Sequence, residues 1–331
     1  MAILSVPELH ELGIQVLEKA EVPRRAAESV TKALVAAEMD GIPSHGFSRL
    51  PFYLDQVRSG KIQGQALPSL AVNAPAVIMV DAGFGFAYPA LDMGLEEANR
   101  RAEEFGTCAL GVTRSHHCGT LGYHVERCAL AGVTALAFAN TPAGMAPWGG
   151  GKACFGTNPI AFACPREKNG APLVIDLSLS KVARGKVVMA RKKGHPIPEG
   201  WALDARGNPT TDPEEALKGT MVPMGEAKGS ALALMVEILA AGLTGANFAA
   251  DASSMFEAEG PPPGIGQFLV LFKTAAFSSD FSARIEMLFS SMTSQEGVRL
   301  PGDRRIQERE KRLREGVEIE DGLLRTLREH Y

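Results

Sequence analysis

The chain is expected to fold as an α/β protein, on three observations. Short β-rich runs recur through its middle, amphipathic helical stretches lie between several of them, and both chain ends read as helix. In order from the N-terminus, Ser5 followed three residues later by Glu8 is a capping-box pattern, with Pro7 tolerated in the first turn. A second helix over 24–40 is alanine-rich, shows apolar positions at i, i+3 and i+4, and stops at Gly41-Ile42-Pro43. From about residue 70 the texture changes. The run 76-AVIMVDAGFGF-86 reads as a strand meeting glycines, 90–106 as an amphipathic helix, and 107-TCALGVT-113 and 133-VTALAFAN-140 as strands around a helix at 119–131. Further strands are expected at 159-PIAFACP-165, 173-LVIDLS-178 and 267-QFLVLF-272, and a long helix at 227–243. The segment 260–266 reads as a loop, and the last fifty residues return to helix, densely charged over 303–315. No internal repeat is present.

Composition narrows the function classes. With 331 residues, 45% of them hydrophobic, the chain can bury the cores of two or three domains. The 34 Lys and Arg against 38 Asp and Glu leave a net charge of -4, so nothing calls for nucleic acid or an anionic membrane as partner. The most apolar run, 230–243, is interrupted by Glu237 and is too short to span a bilayer. The opening residues carry no basic leader with an apolar stretch and cleavage site, and the expectation is a soluble, cytoplasmic protein. Five cysteines, Cys108, Cys118, Cys128, Cys154 and Cys164, form no C-x-x-C pair, so reduced and mostly buried thiols are expected rather than disulfides or structural zinc.

Four stretches bear on chemistry. Gly83-Phe84-Gly85 lies between a strand and a helix as a dinucleotide fingerprint would, but Tyr88 stands where that motif needs a small residue. The turn 225-GEAKGSAL-232 places Lys228 and free backbone N–H groups at a helix start, where an anion is stabilised, although a solvated lysine accounts for it as simply. In 43-PSHGFSRLPFY-53, an imidazole able to move a proton near neutral pH is followed four residues on by a guanidinium able to pair with a carboxylate. The two suit a small acid whose reacting carbon adjoins its carboxylate; an ordinary surface turn fits the spacing too. In 113-TRSHHCGTLGYHVER-127, neighbouring His116 and His117 tend to diverge and Cys118 has no soft partner nearby, so a metal site is not expected. The stretch reads as a strand-to-helix loop, with Gly119-Thr120 opening the helix, one imidazole directed into a cleft, and His124 on the helix surface or at an interface.

Taken together, 44-SHG-46 with Arg49, 115-SHHCGT-120, 147-PWGG-150, 156-GTNPIAF-162, 176-DLSLSKVARGK-186, 198-PEGWALDARGNPTTDP-213, 228-KGSAL-232 and 300-LPGDRR-305 resemble the type 2 malate/L-lactate dehydrogenase family. Within it the chain looks most like the reductases of Δ1-pyrroline-2-carboxylate and Δ1-piperideine-2-carboxylate. The resemblance implies a nicotinamide-binding α/β domain unlike the Rossmann fold over 73–274, a helical domain formed by 1–72 together with 275–331, and a homodimer. It implies NADP(H) as cofactor, with NAD(H) as the alternative; Arg184, Lys186, Arg304 and Arg305 are the cations available for a 2′-phosphate. By the same resemblance Ser44 and His45 form a hydrogen-bonded pair with His45 as proton donor and His117 as the second candidate. Arg49 holds the substrate carboxylate with help from Thr157. His117, Cys118, Gly119, Thr120 and Leu121 line the nicotinamide side, and Asp176, Leu177, Ser178, Lys228, Gly229 and the turn Gly302, Asp303, Arg304, Arg305 contact the dinucleotide. The ketimine reductases carry an acidic residue near the position of Lys186, and a lysine cannot accept an imidazole proton, so that relay is absent or reorganised here. The expected activity is NADPH-dependent reduction of cyclic 2-imino acids to L-proline and L-pipecolate. Malate or L-lactate dehydrogenation is the alternative within the fold. A metal-dependent hydrolase built on the histidine and cysteine cluster, or a nucleotide-binding oligomer without catalysis, are the alternatives outside it.

Overall fold

The computed structural model describes residues 1–167 and 170–330. In chain order its elements are β1 (Ala2–Leu4), α1 (Val6–Lys19), α2 (Arg24–Met39), α3 (Leu50–Arg58), β2 (Ser69–Ala74), β3 (Val77–Asp81), α4 (Ala87–Phe105), β4 (Thr107–Ser115), α5 (Leu121–Leu130), β5 (Thr134–Ala139), β6 (Ile160–Cys164) and β7 (Leu173–Leu177). Then come α6 (Arg184–Lys192), β8 (Ala202–Leu203), β9 (Pro209–Thr210), α7 (Pro213–Lys218), β10 (Thr220–Met221), α8 (Ala227–Glu237), β11 (Ile265–Phe272), α9 (Phe281–Thr293), α10 (Asp303–Glu315), β12 (Val317–Ile319) and α11 (Asp321–His330).

The centre is a mixed seven-stranded sheet in the order β2-β3-β4-β11-β5-β6-β7. Only β3 and β4 run parallel, joined by the crossover helix α4; every other neighbouring pair in this sheet is antiparallel. Apolar residues of α4 and α5, among them Leu91, Leu95, Leu121 and Val125, are buried with Ile78, Val80, Leu110, Val112, Leu269 and Leu271 of the strands. This layer of helix on sheet is the main core.

A second core joins the chain ends. The capping box expected at α1 is present: the Ser5 hydroxyl accepts the Glu8 N–H, and the Glu8 carboxylate accepts the Ser5 N–H at 2.7 Å. Leu9, Leu17, Leu34, Phe47, Leu50 and Leu54 bury themselves with Val317, Ile319, Leu324 and Leu327 from the far end of the chain. The last fifty residues are not helix alone, because β12 pairs antiparallel with β1, Ala2 opposite Ile319. Strands of three residues are too short to show periodicity, and their pairing spans almost the whole chain. Of the C-terminal helices, α11 returns to this core. In contrast, α9 lies on the sheet edge, with Phe289 packed against Cys164 and Leu173.

Two further features depart from the sequence expectation. A small three-stranded sheet, β10-β8-β9, forms with α6 and α7 a separate cluster around Val187, Ile197, Ala202 and Met221. The helix expected over 227–243 is α-helical only as far as Glu237 and continues as a π-helical turn, Ile238–Gly242. The cause is local crowding. A Cβ on Gly266 would sit 1.9 Å from the Ala240 carbonyl oxygen, so β11 is pressed onto this turn, and the Thr244 hydroxyl takes the Ala240 carbonyl at 2.6 Å. No helix of the described residues is long and apolar enough to cross a membrane.

Candidate active site

The turn after α2 is built around a buried carboxylate. Glu38 Oε1 accepts the Phe47 N–H at 2.8 Å, and a Cβ on Gly46 would lie 2.2 Å from that same oxygen, so only glycine fits between His45 and Phe47. Two short 3-10 turns result, Pro43–His45 and Phe47–Arg49. They bring Ser44 Oγ within 3.1 Å of His45 Nδ1 and let Arg49 Nε donate to the Ser44 carbonyl at 2.7 Å. The Arg49 guanidinium lies 4.9 Å from the centre of the Phe256 ring, a cation–π contact. Among the described residues no carboxylate forms an ion pair with Arg49. Its terminal nitrogens are left for an anionic ligand.

The end of β4 supplies the facing wall. His116 and His117 diverge. His116 Nε2 meets Gln56 Oε1 at 2.8 Å, and since Gln56 Nε2 already donates to the Met255 carbonyl, the hydrogen of this contact belongs to His116. The His117 ring turns the other way and stands 5.4 Å from the His45 ring, centre to centre. Its Nδ1 is 2.6 Å from the hydroxyl of buried Tyr53, which in turn is 3.0 Å from the Tyr88 hydroxyl. Ser44, His45, His117, Tyr53 and Tyr88 therefore form one connected row.

Both facing imidazoles are held neutral. The surrounding protein desolvates His45, and with the positive charge of Arg49 lowers its pKa to about 4. His117 is driven well below the ordinary histidine value by burial first, then by Arg49 and the neighbouring histidines. Burial pushes Tyr53 up to about 12, so its hydroxyl keeps its proton. A cation without a carboxylate, beside two uncharged proton acceptors, is an electrostatic setting that favours an incoming acid anion.

His124 is not on the surface of its helix or at an interface. It is fully buried, and its Nε2 contacts the Cys118 carbonyl at 2.8 Å. Because α5 is covered on most sides, the imidazole is turned inward, where it anchors the loop holding His117. Tyr88, which breaks the glycine fingerprint, is buried in the core formed by the chain ends.

The segments expected to contact a cofactor lie as follows. Thr120 is the N-cap of α5 without a side-chain hydrogen bond, and the Gly122 N–H donates to Asp176 Oδ2 at 2.7 Å. The Leu179 N–H donates to the Thr157 carbonyl, and the Met224 N–H to the Leu179 carbonyl, each at 2.8 Å. Residues 176–179 thus lie between the start of α5 and the turn before α8, which also begins without a side-chain cap, at Glu226 with Lys228 in its first turn. The Asp176 carboxylate already occupies the start of α5, which leaves the uncapped start of α8, with Lys228 in its first turn, to suit a phosphate of a dinucleotide.

Other expected residues are engaged elsewhere. Arg305 is held by Asp40 and Glu126, each at 3.4 Å, while Arg304 is exposed. Lys186 is exposed, 6.0 Å from the Trp201 ring. Thr157 makes no hydrogen bond to Arg49 among the described residues; its N–H donates to Thr141 Oγ1 at 3.0 Å. The four cysteines other than Cys154 are buried, and all five are free thiols. No group of three or more His, Cys, Asp or Glu among the described residues converges in a way that could hold a metal. Sequence reasoning missed Tyr53, Gln56, Glu38 and Phe256. Tyr53 could have been found, since it follows Arg49 by four residues on a helical turn; Phe256, some two hundred residues away, had no local signal.

This mixed sheet, with an arginine that no carboxylate pairs among the described residues, two facing imidazoles and an uncapped helix start beside it, has the parts of an oxidoreductase for small acids. The comparisons agree: a family model described as "Malate/L-lactate dehydrogenase" matches residues 4–328, and the chain belongs to that family. It is 52% identical over 326 residues to a "(2R)-3-sulfolactate dehydrogenase (NADP(+))" of Chromohalobacter salexigens, covering 98% of this chain and 97% of the relative. It is 38% identical over 331 residues to a "Delta(1)-pyrroline-2-carboxylate/Delta(1)-piperideine-2-carboxylate reductase" of Pseudomonas aeruginosa, covering 99% and 98%. The crystal structure of delta1-piperideine-2-carboxylate reductase from Pseudomonas syringae pv. tomato superimposes over 100% of both chains with a TM-score of 0.95 at 35% identity.

Proposed function

We propose that the chain is an NADP(H)-dependent dehydrogenase acting at C2 of a small 2-hydroxy acid, and that this acid is 3-sulfolactate, interconverted with 3-sulfopyruvate. The observation that carries the reaction class is Arg49: a guanidinium without an ion pair among the described residues, fixed by the Ser44 carbonyl and the Phe256 ring, on the same short segment as His45. The 52% identity to a sulfolactate dehydrogenase over nearly the full chain supports the choice of acid.

The bound nicotinamide would accept or return the hydride at C2. Arg49 grips the C1 carboxylate and so sets C2 in place, a positioning effect able to supply several kcal/mol of barrier reduction, up to about 7–11 in well-oriented systems. His45, with Nδ1–H donating to Ser44 Oγ, keeps a lone pair on Nε2 to receive the hydroxyl proton as the carbonyl forms; His117, facing it and oriented by Tyr53, is the second candidate. Neutral imidazoles suit this direction at pH 7. In reduction, the substrate carboxylate offsets the charge of Arg49, one cause of the low His45 pKa, and makes protonation of the imidazole easier.

A second reading is reduction of Δ1-pyrroline-2-carboxylate and Δ1-piperideine-2-carboxylate to L-proline and L-pipecolate, supported by the reductases at 36–38% identity. The two readings share one stereochemistry. Sulfur outranks the carboxylate in naming, so (2R)-3-sulfolactate has the spatial arrangement of L-lactate and L-proline, and hydride would reach the same face. Following NADPH absorbance with 3-sulfopyruvate, both cyclic imines, pyruvate and oxaloacetate separates them. A kcat/KM for 3-sulfopyruvate at least tenfold above the others is expected, and an imine ahead of it would overturn the first reading.

For NADP(H), the exposed Arg304 and Lys186, together with Arg184, are the cations for the 2′-phosphate, Arg305 being engaged by acids; a lower KM for NAD(H) than for NADP(H) would refute this. The nicotinamide domain, unlike a Rossmann fold, would comprise 73–274, and the helical domain 1–72 with 275–331; β2 straddles the first boundary as a strand of the central sheet, and α9 leaves the terminal core to lie on the sheet edge. The active form is a homodimer in the cytoplasm. Its supporting feature is the apolar face of α8 and the following turn, where Leu232, Leu234, Met235, Ile238 and Leu243 are exposed. Light scattering should give twice the chain mass, and Leu234→Asp with Ile238→Asp should halve it.

A further inference from the structure

Lys61 follows α3 and is buried, yet its ammonium group ends on three backbone carbonyls: Ser254 at 2.6 Å, and Glu257 and Glu259 at 3.0 Å each. An ammonium has three N–H donors, and all three are used. Gln56 Nε2 donates to the Met255 carbonyl at 2.9 Å, and the Ser59 hydroxyl to that of Ala258 at 2.6 Å. Donors from residues 56–61 thus hold every carbonyl from 254 to 259 except that of Phe256. Phe256 is the residue whose ring meets Arg49, and it stands edge-on to Phe52 at 5.6 Å.

Burying an ammonium is unfavourable unless every N–H finds an acceptor. A hydrocarbon side chain would avoid that penalty, but it would leave the three carbonyls without a donor and the loop free to lift. The ring against Arg49 constrains one face of the guanidinium, while the Ser44 carbonyl takes its Nε hydrogen. We propose that Lys61 is a positioning residue for the substrate carboxylate: it stitches down the 254–259 loop so that Phe256 holds the Arg49 fork in its receiving orientation. The inference rests on the reading of Arg49 as the carboxylate-binding residue.

The test uses the full-length enzyme with NADPH and the best oxo or imino acid of the panel. Lys61→Met should raise KM for the acid about tenfold, the size of a partly desolvated cation–π contact, with kcat within about twofold and NADPH affinity unchanged. Exchange of the Phe256 N–H, which donates to Ser254 Oγ in the held loop, should quicken. Phe256→Leu keeps the cage and removes the ring; it should reproduce the KM rise without the faster exchange, and it covers the case in which Lys61→Met does not fold. An unchanged KM in a folded variant overturns the proposal, as does a parallel loss of KM, kcat and NADPH affinity. Arg49→Lys, run alongside, separates the two ideas. If it leaves KM intact, both fall; if it raises KM while the other two variants do not, only the role of Lys61 falls.

Discussion

Replacing Arg49 with methionine tests the electrostatic argument at its root. The change removes the donor to the Ser44 carbonyl, the contact with Phe256 and the two terminal nitrogens available to a carboxylate. Net contributions of hydrogen bonds to charged groups run at about 1.5–3 kcal/mol each; because Arg49 is only partly buried, a combined loss of about 3 kcal/mol is reasonable, or roughly 150-fold in kcat/KM. A second effect has the opposite sense for the imidazoles. Arg49 contributes to the low pKa of both His45 and His117, so its removal should let their protonation begin at higher pH. With His45 as the proposed base, the acid limb of the kcat/KM profile in the oxidising direction is expected near 4 and should move up toward the ordinary histidine value of about 6.5. Arg49→Lys keeps the charge but not the planar fork, so it should lose activity while leaving the limb in place. Initial rates over roughly pH 3–9, a window that reaches below the expected acid limb, read out both effects. A kcat/KM for Arg49→Met within threefold of native at pH 7, or a limb that moves downward, would refute the reasoning.

Three further outcomes are expected. His45→Ala should lower kcat for 2-oxo acids by about 10²- to 10⁴-fold, the usual contribution of a general acid, and should affect cyclic imines much less, since an imine can arrive already protonated; equal losses in kcat for the two substrate types would contradict this. Tyr53→Phe deletes the hydroxyl shared by His117 and Tyr88, and should lower stability by about 1–2 kcal/mol along with kcat, both measurable on one preparation by thermal melting and steady-state rates. Stability should fall on acidification. His124 has a folded pKa of about 4 and His116 of about 3, both below the ordinary value, so the unfolded chain binds the extra protons. The stability each contributes is present above the unfolded value and fades as pH drops toward the folded one, by roughly 1 kcal/mol per histidine between pH 7 and 5.5. Denaturant melts at the two pH values should show a shallower slope for His124→Asn.

Much of the local structure was legible because it depends on near neighbours. The Ser5–Glu8 capping box, the stop of α2 before Pro43 and the strands β4, β5, β6 and β7 all follow from spacing that holds within a few residues. His116 and His117 were expected to part, and do, since adjacent side chains leave an extended backbone in different directions. The burial of His124 was misread because the amphipathic pattern of α5 cannot say how many sides of the helix are covered. The π-helical turn after Glu237 was missed because its cause lies in β11, well down the chain.

The sequence by itself determined the kinds of element, the absence of a glycine fingerprint at Tyr88, and the short segment that pairs an imidazole with a guanidinium. Only the tertiary structure decided what those groups face. The approach of His117 to His45, the Phe256 ring at Arg49, and Asp176 at the start of α5 are contacts between segments tens to hundreds of residues apart. Spacing along a chain sets direction over a turn or two. Distance between remote segments, and with it the low dielectric that keeps both imidazoles uncharged, exists only once the cores have closed around them.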